Sequence, residues 1–166
     1  MTTLTFTRKT LSLRDNSYIR DENGTLLFEA SRIGVFKRDF AITNGGNTLC
    51  ASLSPESWKP EPSWQVSDTK ESAYTIKRRK KSFQRFYWIE GGLHDGVLFE
   101  GGGYDTRFRI RKDEHVIAEA LEERFSTKAA VHMQLLEDSD ATRLLCAIAL
   151  VVISKEKQEQ RTGHGS

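Results

Sequence analysis

Leu144-Leu-Cys-Ala-Ile-Ala-Leu-Val-Val-Ile153 is an unbroken run of ten apolar residues, and it constrains the fold more than any other part of the chain. As an α-helix it spans about 15 Å, half of a roughly 30 Å hydrocarbon core, so it is too short to cross a membrane. A helix that is apolar on every side has to be buried on every side. Asp140 stands ahead of it as an N-cap, and the polar run Ser154-Lys-Glu-Lys-Gln-Glu-Gln160 follows it. What buries such a helix depends on the remainder of the chain, which is patterned for strands.

Thr106-Arg-Phe-Arg-Ile-Arg111 alternates strictly, with Phe108 and Ile110 on one face and Arg107, Arg109 and Arg111 on the other. A period of two is the mark of a half-buried strand. Tyr74-Thr-Ile-Lys77 and Ser82-Phe-Gln-Arg-Phe-Tyr-Trp-Ile89 are rich in β-branched and aromatic residues and read the same way. A weak internal repeat supports them. Ile19-Arg-Asp-Glu-Asn-Gly-Thr-Leu-Leu27 aligns with Ile42-Thr-Asn-Gly-Gly-Asn-Thr-Leu-Cys50, and Phe108-Arg-Ile-Arg-Lys-Asp-Glu-His-Val-Ile-Ala118 aligns with the second copy from Phe40. Each is a strand, a polar turn and an apolar strand; Asn-Gly and Gly-Gly-Asn tolerate the positive φ of a tight hairpin. Asn23-Gly24-Thr25 fits a glycosylation pattern, but without a secretory signal it reads as a hairpin tip. Ala118-Glu-Ala-Leu-Glu-Glu-Arg124 is built of helix formers, leaving helix and strand both open locally; the repeat favours strand. A buried helix in a mostly β chain implies strands wrapped around it, a barrel with a helical plug.

The punctuation indicates one domain. All 3 prolines lie between Pro55 and Pro62 and half of the 12 glycines between Gly91 and Gly103, stretches that read as loops rather than interdomain linkers. The expected domain is 1–166, with a core from about residue 14 to 156 and a polar tail at 157–166. With 25 Lys and Arg against 23 Asp and Glu, the net charge of +2 gives no global argument for nucleic acid. Cys50 and Cys146 are far apart with no ligand-spaced Cys or His beside either, so neither a disulfide framework nor a zinc site is legible. The expectation is an intracellular, cytoplasmic, monomeric protein.

With these residues in hand, the chain resembles the tubby-like superfamily, most nearly its LURP-one-related branch, which groups with the phospholipid scramblases. The resemblance rests on Tyr18-Ile-Arg-Asp-Glu-Asn-Gly-Thr-Leu-Leu-Phe28, Phe40-Ala-Ile-Thr-Asn-Gly-Gly-Asn-Thr-Leu49, the stretch Phe108–Ala118, and the closing Asp140-Ala-Thr-Arg-Leu-Leu-Cys-Ala-Ile-Ala-Leu150. It implies a closed twelve-stranded β-barrel around a buried C-terminal hydrophobic helix. It also implies a non-enzymatic module that binds phosphoinositide or other anionic phospholipid head groups and tethers to a membrane. The alternative is a protein-interaction or structural barrel with no lipid role. Nothing here matches tubby's head-group ligands or the scramblases' Asp-rich calcium segment, so those sites do not carry over.

Among local features, Lys77-Arg-Arg-Lys-Lys81 is the sharpest: five basic residues in a row, with Arg85 and the aromatics Phe86-Tyr-Trp88 close behind. As a membrane patch, each Lys or Arg near an anionic leaflet is worth about 1 kcal/mol. As a solvated hairpin tip it protects an edge from aggregation, and this reading carries slightly more weight; a nuclear-localisation or nucleic-acid patch is a third reading, which the small net charge disfavours. Arg107, Arg109 and Arg111 extend the basic surface if they neighbour the hairpin; pairing with Glu119, Glu122 and Glu123 is the commoner fate of such a row. The candidate head-group residues are therefore Lys77, Arg78, Arg79, Lys80, Lys81, Arg85, Arg107, Arg109 and Arg111. Glu137-Asp-Ser-Asp140 lacks the Gly and the spaced Glu of an EF-hand and reads as capping. Gly101-Gly-Gly103 is followed by no Gly-Lys-Ser/Thr, and His94, His115, His132 and His164 are scattered. No catalytic, metal or cofactor residue is expected.

Overall fold

The computed structural model describes residues 2–8, 16–33, 39–56, 63–68, 72–78, 85–101, 107–122 and 131–163, the side chains of 85, 107, 121–122 and 156–163 excepted. The strands are β1 (Thr2–Arg8), β2 (Ser17–Arg20), β3 (Leu26–Ile33), β4 (Asp39–Asn44), β5 (Leu49–Glu56) and β6 (Ser63–Asp68). They continue as β7 (Ala73–Arg78), β8 (Arg85–Glu90), β9 (Val97–Gly101), β10 (Arg107–Lys112), β11 (His115–Glu122) and β12 (Val131–Leu135), followed by helix α1 (Asp140–Gly163). Each strand pairs antiparallel with its neighbours in sequence, and β12 pairs with β1, Thr2 facing Leu135, so the sheet closes into a barrel.

Closure follows from the alternation. Leu4 and Phe6, Phe40 and Ile42, Ala51 and Leu53, Tyr74 and Ile76, and Tyr87 and Ile89 are buried every second residue, each strand turning one apolar face inward. That interior is filled by α1, in which every residue from Leu145 to Ile153 is buried, as the all-apolar run requires.

The repeat has a precise structural meaning. In the first two copies a side-chain oxygen organises the turn: Asp21 Oδ1 accepts from the Asn23 and Thr25 amides, both at 2.9 Å, and Asn44 Oδ1 accepts from Gly46 at 2.9 Å and Thr48 at 3.0 Å. Gly24 (φ 79°) and Asn47 (φ 62°) supply the left-handed residue. All three copies share a β-bulge at the aligned isoleucine: the register slips between Ile19 and Arg20, between Ile42 and Thr43, and between Ile110 and Arg111. A bulge increases local twist and bends its strand, which helps a sheet of this size curl round. The repeated unit is thus a bulged hairpin.

Four expectations need adjusting. The barrel takes in Thr2–Arg8, ahead of the core start near residue 14, because Leu4 and Phe6 are buried between β12 and β2. The helix runs to Gly163, through the segment expected as a polar tail, since its Lys, Glu, Gln and Arg favour continuation. The cap is Ser139, whose Oγ accepts from the Thr142 amide at 3.1 Å, and Asp140 is the first helical residue, its charge beside the positive end of the dipole. The loops expected over 54–63 and 91–103 are shorter, since Ser54, Pro55 and Glu56 end β5, Ser63 opens β6 and Val97–Gly101 form β9. Ala118–Glu122 is strand: pairing with both β10 and β12 overrides its helix propensity. No helix among the described residues is long and apolar enough to cross a membrane.

Candidate functional site

The basic run begins on the outer wall and ends beyond the described residues. Lys77 and Arg78 close β7, while Arg79, Lys80 and Lys81 lie outside what is described. Lys77 points outward, as its period-two relation to buried Tyr74 and Ile76 requires. Its Nζ is 2.8 Å from Glu90 Oε2 on β8. Trp88, opposite Lys77, donates Nε1–H to the other oxygen of the same carboxylate at 3.1 Å. The two donors hold the Glu90 carboxyl below its ordinary range, the Lys77 hydrogen bond contributing most. Arg78 faces inward instead, its guanidinium 6.0 Å from the centroid of Tyr87.

The aromatic triplet divides between the faces of β8. Tyr87 is core, 6.2 Å from Phe99 between centroids, whereas Phe86 and Trp88 stand on the outer wall with centroids 6.1 Å apart. Arg85 opens β8 opposite Gly101, and Arg107 opens β10 opposite Leu121; their side chains lie outside the described set.

The arginine row is largely neutralised. Arg109 Nε lies 3.2 Å from Glu119 Oε1, its direct cross-strand partner. Arg111 Nη2 lies 2.6 Å from Glu100 Oε1 on β9, and Nη1 donates to the Asp113 carbonyl at 2.6 Å. The Arg111 hydrogen bond holds the Glu100 carboxyl below its usual range, and Glu100 raises Arg111 in return. Such half-exposed pairs add little to stability, but they spend charge that would otherwise face an anion. One cross-strand line runs Lys77, Trp88, Leu98, Arg111, placing Arg111 three strands, about 14 Å, from Lys77. An aromatic and aliphatic strip separates the two basic groups.

Pairing of Arg109 with Glu119 is as the sequence suggests, whereas Arg111 takes Glu100 instead; the side chains of Arg107 and Glu122, and Glu123, lie outside the described residues. Glu100 and Glu90 went unrecognised as partners, because each pairing depends on a strand register, β9 with β10 and β7 with β8, that residue type alone does not give. The acidic stretch before α1 is structural: Asp138 Oδ1 and Oδ2 accept from Arg143 Nε (2.7 Å) and Nη2 (2.9 Å), Oδ2 also accepts from Thr2 Oγ at 2.5 Å, and His115 Nε2 meets Glu137 Oε1. Among the described residues no group of His, Cys, Asp and Glu has the arrangement of a metal site.

The profile of the LURP-one-related family matches residues 2–153. A solved crystal structure, of a protein from Arabidopsis thaliana, has the same fold: TM-score 0.64 at 19% identity, covering 94% of this chain and 91% of that one. No curated protein sequence matches significantly.

Proposed function

The chain belongs to the LURP-one-related family, a branch of the tubby-like superfamily, and from that premise we propose that it is a non-enzymatic module that binds anionic phospholipid head groups and tethers peripherally, as a monomer, to the cytoplasmic face of a membrane. The observation that carries this reading is that β7 ends in the basic residues Lys77 and Arg78 while Phe86 and Trp88 stand outward on the neighbouring strand, Trp88 directly opposite Lys77. The non-enzymatic part is supported by the burial of every residue from Leu145 to Ile153, an apolar helix segment occupying the barrel interior. Because Arg109, Arg111 and Lys77 are each paired with a glutamate, the reading places the weight on the rest of the Lys77–Lys81 run.

Co-sedimentation with phosphatidylcholine vesicles, with and without phosphatidylserine or a phosphoinositide, tests it at low and physiological salt. Binding is expected only to the anionic vesicles and should weaken with salt. Replacing Arg79, Lys80 and Lys81 with Gln, which spares the wall contacts of Lys77 and Arg78, should weaken binding about 100-fold, at about 1 kcal/mol per charge. Unchanged binding by that variant removes the hairpin from the mechanism. Absence of binding to every vesicle leaves the barrel as a protein-interaction module.

A further inference from the structure

The two ends of the barrel differ in charge. Strands β1, β3 and β7 run toward the end from which α1 emerges, and each finishes with an arginine at or next to its last residue: Arg8, Arg32 and Arg78. All three occupy inward positions of the alternation. Arg8 pairs with buried Ser17, Arg32 with buried Phe40 and Arg78 with buried Tyr87. Where these strands end, the apolar interior gives way to a rim of guanidinium groups. The helix adds a fourth cation there: Lys155, the first charged residue after the apolar run, is only 4% exposed, and its Nζ lies 4.6 Å from the centroid of Phe40. Arg32 lies 5.9 Å from the same ring. Phe40 is thus shared by a strand cation and a helix cation. Acids at this end include Glu56, which accepts from Ser63 and Gln65, Asp39, outward opposite Ile33, Glu122 at the close of β11 and Glu156 next to Lys155 in α1, so its basic character rests on an excess of cations.

The opposite end is acidic. Its turns and the approach to α1 carry Asp21, Glu22, Asp95, Asp113, Glu114 and Glu137. Of its cations, Arg143 is tied to Asp138, Arg20 stands next to Asp21, and Lys112 next to Asp113 and Glu114 in the chain. A low-dielectric barrel with cations at one end and carboxylates at the other has a dipole along its axis, and a negatively charged plane orients such a body before contact.

We infer that the barrel meets an anionic lipid surface end-on, through the rim of Arg8, Arg32 and Arg78 around the emerging helix, with its acidic turns facing away. This rests on the lipid-binding reading and changes its geometry, because docking by the β7–β10 wall would lay the axis flat and bring both ends to the surface.

A bimane label at one site at a time distinguishes the orientations. Ile33→Cys reports from the basic end, Leu93→Cys from the acidic end and Leu98→Cys from the wall between Trp88 and Arg111, each with Cys50→Ser; Cys146 is buried and stays. The vesicles contain phosphatidylserine and brominated phosphatidylcholine. Quenching at position 33, with none at 93 or 98, is the expected result. Arg32→Gln should lower partitioning about fivefold, and Asp113→Asn should not lower it. Bound protein quenched at 98 and not at 33, or quenched at 93, overturns end-on docking while leaving lipid binding intact. Failure of the unlabelled protein to sediment with these vesicles or with phosphoinositide-containing ones overturns the lipid reading and this inference with it.

Discussion

Ile148 sits midway along the apolar stretch of α1, 1% exposed, and its truncation measures how tightly the barrel grips its helix. Ile148→Ala removes three buried carbons, about 2.4 kcal/mol of transfer free energy at about 0.8 kcal/mol each. If the strands cannot relax inward, the hole of roughly 80 Å³ adds up to about 2 kcal/mol more. A closed sheet resists collapse because every strand is hydrogen-bonded on both sides, so a loss of about 3–4 kcal/mol, above the transfer term alone, is expected. Ile148→Val removes one carbon and should cost about 1 kcal/mol. The assay is urea unfolding followed by tryptophan fluorescence, with m-values compared to confirm the same transition. In a thermal scan a loss of 3–4 kcal/mol corresponds to roughly 6–16 °C for a chain of this length. Gln134→Ala, exposed on the outer face of β12, is the control and should stay within about 0.5 kcal/mol. A loss below about 1 kcal/mol for Ile148→Ala, or equal losses for Val and Ala, would refute the claim that the helix is close-packed.

Three further outcomes are expected. Ser139→Ala removes the oxygen that accepts from the Thr142 amide and should cost about 1 kcal/mol, while Ser139→Asp retains the cap and most of the stability; chemical denaturation reads both. Arg143 and Thr2 hold the Asp138 carboxyl below the usual carboxylate range, so its contribution is present above the unfolded pKa of about 4 and fades as pH falls below it. Asp138→Asn should therefore lower stability at pH 7 and flatten its acid-side decline, measured by denaturation from pH 7 to 3. Burial pushes the Cys146 thiol up to about 12 and also raises Cys50 less markedly, so one thiol should react with a chromogenic disulfide at pH 8 in the native protein and two after denaturation.

What was legible in the sequence is what the core dictates. The run Leu144–Ile153 demanded an enclosing structure, Phe108 and Ile110 marked their strand by period two, and the three hairpins shared their pattern because they share a bulge. Strand β1 was missed because only Leu4 and Phe6 of Thr2–Arg8 are large and apolar, too short an alternation to stand out among threonines. The helix was read short because amphipathic logic follows the apolar run, whereas the backbone continues wherever the residues tolerate it. At the candidate site, residue type gave the charges but not their partners. Glu119 follows Arg109 through a hairpin and was foreseeable, but Glu100 reaches Arg111 only through the register of β9. The rim arginines were invisible for a related reason: an Arg closing an alternating strand looks like its solvent end until the strands are known to circle a helix.

Enclosing the helix has a consequence for the order of events during synthesis. All twelve strands precede α1 in the chain, and the seam between β1 and β12 joins Thr2 to Leu135. While the strands leave the ribosome, the apolar faces that will line the interior have nothing to close on, and the seam has no partner. The ring becomes stable only once its contents arrive. Such reliance on distant contacts makes folding slow and leaves partly made chains adhesive, so nascent chains of this protein should depend on chaperone protection until Asp140–Gly163 has been translated.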